Sequence, residues 1–121
     1  SENEMVAIEE LDCRVFASAF RYSIETLQQL YPAAKIYICT PIQGYITTRN
    51  YAQTKAKGDY LTLLAGRMSL EVLDTFSCGL CDIYEKKNAN GRYLIDGLHP
   101  NAAGAKKIGA FNASAVIASY R

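Results

Sequence analysis

Asp96 and His99 are the residues whose types and spacing best suit chemistry. His99 is the only histidine in the chain, three positions after Asp96 and directly before Pro100. At that separation a carboxylate can accept a hydrogen bond from the imidazole across one turn. The bond would fix the ring tautomer and stabilise its protonated form, making an acid–base dyad of the kind that serves a nucleophile. A plainer reading stands beside it, in which Asp96 caps a turn and His99 is a surface helix N-cap. Pro100 suits the first turn of a helix, where its lack of a backbone donor leaves nothing unpaired, and it biases His99 towards an extended conformation.

Other residue types with chemical capacity are weaker candidates. Cys78 and Cys81 form CGLC, but a redox pair of this kind normally opens a helix, whose N-terminus lowers the thiol pKa. Here the pair lies in FSCGLCDIY, which reads as a short buried strand. Zinc would need a second pair of ligands that one histidine does not supply. Cys13 and Cys39 fall in apolar periodic segments and read as buried free thiols. Tyr45, Tyr51 and Tyr93 fall in loops that would border a crevice, as packing residues or as aromatic faces for a sugar or an acyl chain.

The elements that must position the dyad alternate. Phe16, Phe20, Ile24, Leu27 and Tyr31 recur at helical spacing within Leu11 to Tyr31, and Pro32 stops that helix. KIYICT, Lys35 to Thr40, is apolar and β-branched, as in a strand covered on both faces. PIQGYITTRNYAQTKAKG is polar without a clean period and reads as irregular. Asp59 reads as the N-cap of a second helix carrying Leu61, Leu64, Met68 and Val72 and reaching about Thr75. CGLCDI, Cys78 to Ile83, is the second strand, and NANG, Asn88 to Gly91, is turn chemistry. The third helix runs from Asn101 to Ser119. This order predicts an α/β fold of parallel strands joined by right-handed crossovers. The loop before His99 would then follow a strand and overhang the ligand crevice. Two strands are few for three helices, since sheets usually have four or more.

The chain of 121 residues is long enough for one domain with a real core. Half of it is apolar and its formal charge is +1. Basic residues such as Arg49, Lys55 and Lys57 are scattered, which argues against a nucleic-acid surface. No apolar run approaches the roughly 20 residues of a membrane span. SENEMVAIEELDC lacks the basic start and apolar stretch of a signal peptide, and it assigns no compartment.

DGLHPNAAGAKKIG closely resembles the C-terminal catalytic block of the SGNH, or GDSL-type, hydrolases, in which a D-x-x-H-P element precedes the last helix. YSIETLQQLYPAAKIYICTPIQ resembles the helix and following strand of that family. GDYLTLLAGRMSLEVLDTF, with the CDIYEKKN stretch after it, keeps the family's order, so the resemblance runs from about Val15 onward. It implies a flavodoxin-like three-layer α/β/α fold and an esterase or acylhydrolase acting on acyl esters of lipids, sugars or small alcohols without metal or organic cofactor. By the same match His99 is the general base and then the acid, and Asp96 orients it.

The sequence departs from the family in one respect. Neither the G-D-S element of the nucleophile nor the G-x-N-D element of the oxyanion hole occurs in the chain. The expectation is therefore a partial fold with a truncated parallel sheet. The chain, 1–121, would be the C-terminal half of a single SGNH-like domain, supplying Asp96 and His99 but inactive alone. Its exposed strand edge and helix faces would favour self-association or pairing with the missing N-terminal half. The alternative is a non-catalytic binding or assembly module derived from that fold.

Overall fold

The computed structural model describes residues 15–46, 50–81 and 91–120. Helix α1 spans Phe16–Leu30, strand β1 Tyr37–Cys39, helix α2 Tyr51–Arg67, strand β2 Glu71–Leu73 and helix α3 Ala102–Ser119, with a 3-10 turn at Thr75–Ser77 after β2. The strands are parallel, with Tyr37 opposite Glu71, Ile38 opposite Val72 and Cys39 opposite Leu73. The α/β class and the helix–strand alternation follow the expected order.

Strand alternation gives three layers. Tyr37 turns its hydroxyl to Ser119 at the end of α3, whereas Val72 shares a cleft with Gly58, Asp59 and Thr62 of α2. Register partners share a sheet face and successive residues alternate, so α2 and α3 cover opposite faces. Ala17 and Leu64 form one buried cluster, joining α1 to α2 with Phe20, Tyr60 and Met68 around it. Cys78, Leu80 and Leu94 form a second, against Ile108 and Phe111 of α3.

Several boundaries differ from the sequence expectation. Helix α2 starts at Tyr51, with the Asn50 side chain accepting from the Gln53 N–H at 3.0 Å. Asp59 is therefore mid-helix, paired to Lys55 one turn earlier at 2.6 Å. The early turns escape a hydrophobic-period reading because they bury Thr54 and Gly58 rather than large apolar residues. Gly58 lies directly against Thr40, where an added Cβ would sit 3.5 Å from the threonine Cβ. The helix also ends earlier, at Arg67, and Ser69 turns the chain at φ 56°. A serine in the left-handed region replaces the glycine that usually signals a helix stop.

The second strand is accordingly Glu71–Leu73, and Cys78–Cys81 is not strand; its apolar character comes from burial in the second cluster. Ile83 and the Asn88–Asn90 part of the expected turn lie outside the described residues, as do Leu11 and Cys13. Cys39 is exposed rather than buried. The exposed apolar faces are also larger than a covered sheet would leave, since Phe16 (44 %), Leu27 (41 %) and Tyr31 (61 %) on the α1 stripe reach solvent.

Candidate active site

The DGLHP segment is a closed loop in front of α3. Leu94 and Pro100 form an antiparallel bridge, the Ile95 N–H donates to the His99 carbonyl at 2.8 Å and the Asn101 N–H donates to the Tyr93 carbonyl at 2.8 Å. Asn101, not His99 or Pro100, caps α3, its side-chain oxygen accepting from the Gly104 N–H at 2.9 Å. Pro100 sits before the cap, in the bridge. Gly104 is buried where an added Cβ would fall 2.3 Å from the Tyr93 carbonyl oxygen. The loop and the first turn of α3 thus close against each other only because residue 104 has no side chain.

Within the loop, Asp96 contacts both the backbone of the turn and the imidazole of His99. Its Oδ1 accepts from the backbone N–H of Leu98 at 3.0 Å and of His99 at 2.8 Å. Its Oδ2 lies 2.7 Å from His99 Nδ1. The His99 amide first, and then the His99 ring, hold the Asp96 carboxyl at about 2, below the usual carboxylate range. An ionised carboxylate only accepts, so Nδ1 carries the proton, and in the neutral ring Nε2 then keeps its lone pair. Gly97 makes the turn possible, with φ +79° and a notional Cβ only 2.8 Å from the Tyr45 carbonyl oxygen. Its own carbonyl accepts from the Tyr45 N–H, so the segment after β1 is stitched to the dyad loop.

Both dyad side chains face solvent, Asp96 at 52 % and His99 at 68 % exposure. Among the described residues no serine hydroxyl bonds to His99. Ser18 is buried in α1, Ser23 donates back to the Ala19 carbonyl, Ser77 bonds Asp74, and Ser119 bonds Tyr37 and the Val116 carbonyl. Among those residues there is also no cluster of side chains that could hold a metal ion. Burial pushes the Cys78 thiol up, away from the reactive thiolate. Tyr93 is half-buried, its ring under Lys107 Nζ at 4.3 Å. Tyr51 opens α2 rather than lying in a loop, and its ring packs tilted against Phe76 with centroids 5.5 Å apart.

One cluster was not visible in the sequence. Thr40 and Asp74 each follow a strand, and the Thr40 hydroxyl donates to Asp74 Oδ1 at 3.0 Å while accepting from the Phe76 N–H at 2.9 Å. Ser77 donates to the other Asp74 oxygen at 2.6 Å. The available signal was positional: both residues end parallel strands, where such folds place their crevices.

The fold is similar to that of an esterase domain. The esterase domain of the ORF1 protein from the zebrafish ZfL2-1 retrotransposon is similar to this chain with a TM-score of 0.61 at 23 % identity, over 81 % of this chain and 58 % of that one. A second solved structure is similar with a TM-score of 0.74 at 22 % identity, over 93 % of this chain and 56 % of that one. The chain thus spans little more than half the length of either. No protein-family model and no curated protein matches it.

Proposed function

We propose that this chain carries the acid–base half of an ester hydrolase of the SGNH type. His99 Nε2 takes the proton of a serine hydroxyl and returns it to the leaving alcohol. Asp96 keeps the ring in the productive tautomer and stabilises the imidazolium that forms in between. The observation that carries this reading is the 2.7 Å contact between Asp96 Oδ2 and His99 Nδ1, in a fold similar to an esterase domain. Nucleophile and oxyanion donors come, on this reading, from an N-terminal half that completes one domain with residues 1–121. The substrate is an acyl ester of a lipid, a sugar or a small alcohol, and no cofactor takes part.

The test is intact-mass analysis after incubation with a fluorophosphonate, first on this chain and then on the chain together with the polypeptide that completes its sheet. The isolated chain is expected to remain unmodified. The completed domain should take one adduct on a serine, and His99→Ala should suppress it. An adduct on the isolated chain that depends on His99 would overturn the division of the site between two halves. A completed domain that labels equally well with His99→Ala would overturn the role of the dyad.

A second reading is a non-catalytic binding or assembly module. It is favoured by the exposed apolar residues Leu30 (65 %), Ile117 (58 %) and Tyr120 (70 %) and by a two-stranded sheet, surfaces that favour association. Sedimentation velocity distinguishes its central feature, since self-association predicts a mass that rises with concentration. A compact monomer at high concentration would dispose of it.

A further inference from the structure

We infer that the segment after β1, fastened by Gln43, positions the dyad by holding the peptide between Gly97 and Leu98, which makes Gln43 a positioning residue. The inference rests on the ester-hydrolase reading for its catalytic consequence and on geometry alone for its structural one. A trans peptide is planar, so its carbonyl and its N–H point in opposite directions. Here the N–H, that of Leu98, donates to Asp96 Oδ1 at 3.0 Å, and the carbonyl, that of Gly97, accepts from the Tyr45 N–H. One rigid plane therefore connects Tyr45 to the carboxylate whose other oxygen lies 2.7 Å from His99 Nδ1. Rotating the plane breaks the bonds at both ends. The turn does not hold the plane by itself, because Gly97 at φ +79° has other conformations open to it at little cost. A contact from outside the turn must select this one, and the Tyr45 N–H is placed to do so.

Tyr45 is itself placed by a short series of anchors. The Phe76 N–H donates to Thr40 Oγ1 at 2.9 Å, and the Phe76 carbonyl accepts from Gln43 Nε2 at 3.1 Å. The segment leaving β1 is thus fastened twice to one buried residue of the turn after β2. Between these two points Ile42 packs on the cluster of Cys78, Leu80 and Leu94. Gln43 is the last of the three anchors before the dyad contact, two residues from Tyr45. Gly44 makes the remaining step. Its φ lies outside the left-handed region, but a Cβ there would fall 3.0 Å from the Gly97 carbonyl oxygen and 3.3 Å from Leu98 Cδ1. Glycine serves the close approach of the two segments at this position, not an unusual backbone conformation. An approach so close leaves little slack, so a shift at Gln43 is passed on to the Gly97 carbonyl.

The experiment is NMR of the ¹⁵N-labelled chain, reading the His99 ring nitrogens and the Leu98 and His99 amides in Gln43→Met, Gly44→Ala and Ser77→Ala. Gln43→Met keeps the length of the side chain and removes the donor, and Gly44→Ala pushes on the same peptide directly. Ser77→Ala removes a bond to Asp74 in the turn after β2 without touching residues 43–45, so it reports a loss of stability alone. At alkaline pH the neutral His99 ring of the unaltered chain should carry its proton on Nδ1. Gln43→Met and Gly44→Ala should move the ring nitrogens towards a mixture of tautomers and shift the Leu98 and His99 amides, while the signals of α3 are retained. Ser77→Ala should leave these resonances in place. In the completed domain Gln43→Met should slow fluorophosphonate labelling by up to roughly a hundredfold. A His99 tautomer unchanged by Gln43→Met would overturn the inference, and an equal change with Ser77→Ala would overturn it as an effect of stability. If Gln43→Met does not fold, Gly44→Ala decides by the same readout. A tautomer that responds in a domain that never labels would leave the positioning role standing and remove the ester-hydrolase reading. Labelling that needs His99 but runs at the full rate with Gln43→Met would do the reverse.

Discussion

Gly104→Ala tests the construction of the dyad loop most directly. In an exposed helix the change would stabilise, since alanine is favoured over glycine by about 1 kcal/mol. Here the new Cβ would fall 2.3 Å from the Tyr93 carbonyl oxygen and 3.3 Å from Pro100 Cβ. The first contact is with backbone, so it is relieved only by moving the chain. Overpacking of this kind costs about 1–3 kcal/mol. The oxygen that must move is the acceptor for the Asn101 N–H, and losing that bond adds about 1 kcal/mol. Set against the helix gain, the net effect is a destabilisation of about 2 kcal/mol, or a fall of roughly 1 M in the urea midpoint for a chain of this size. Gly109→Ala is the internal control, because nothing lies within 4 Å of a Cβ at that position of the same helix, and it should be neutral or stabilising by up to about 1 kcal/mol. If Gly104→Ala proves as stable as Gly109→Ala, the loop does not close on α3 in the way described.

Three further outcomes follow from the geometry. The Asp96 carboxyl is held at about 2, below the roughly 3.9 of an unfolded chain. Its contribution to the loop is therefore complete above about pH 4 and lost as pH falls through about 2, so the Leu98 and His99 amide resonances should titrate near 2, and a midpoint near 4 would refute the contacts. Thr40→Val leaves the Phe76 N–H without the oxygen it bonds at 2.9 Å, and chemical denaturation should register a loss of about 1–3 kcal/mol; a neutral change would mean that water reaches this amide. The Thr40 N–H points to β2, bonding the Leu73 carbonyl at 3.0 Å, so by alternation the Tyr37 and Cys39 N–H groups point to the other edge of β1. Hydrogen exchange should be fast at Tyr37 and Cys39 and slower at Ile38 and Thr40; uniform protection would show that this edge is already covered.

What the sequence disclosed depended on how local the determining contacts are. Asp96 bonds Leu98 and His99 within a span of four residues, so the spacing put both a turn cap and an imidazole contact in view without choosing between them. The third helix was legible because its cap, Asn101, stands at the end of the same block. The start of α2 was not, since its buried face uses Thr54 and Gly58 against Thr40, and neither residue raises a hydrophobic period. The second strand was hidden by the Met68–Ser69 turn, which ends a helix without glycine or proline. The link between Thr40 and Asp74 spans 34 positions and exists only because β1 and β2 lie side by side. The same holds for the Tyr45–Gly97 contact, which joins the segment after β1 to the dyad loop across the β1–α2–β2 crossover.

The exposure of Asp96 and His99 and the unpaired edge of β1 among the described residues have, on the proposed reading, a common physical remedy. A hydrogen-bonded pair with both side chains more than half in water is screened and contributes little. A general base works best where water is excluded and the field of its partner is undiluted. The chain has the orientation chemistry of a base, through an ionised Asp96 that fixes the His99 tautomer, without the enclosure. It also has a strand, β1, paired on one side only among the described residues, and a helix, α1, whose stripe is left largely uncovered at Phe16, Leu27 and Tyr31. On the proposed reading one addition meets all three needs. A parallel strand at the open edge of β1 would take up the Tyr37 and Cys39 donors, carry helices that cover α1, and bring its own carboxyl end to the side where Thr40, Asp74 and the dyad loop already lie. The nucleophile then arrives on the strand that supplies the missing pairing, so folding and catalytic competence are gained in the same step. Protection at Cys39 and reactivity with fluorophosphonate should accordingly appear together when the partner is added. A partner that protects the edge without creating a reactive serine would separate the two, leaving assembly as the role of this fold.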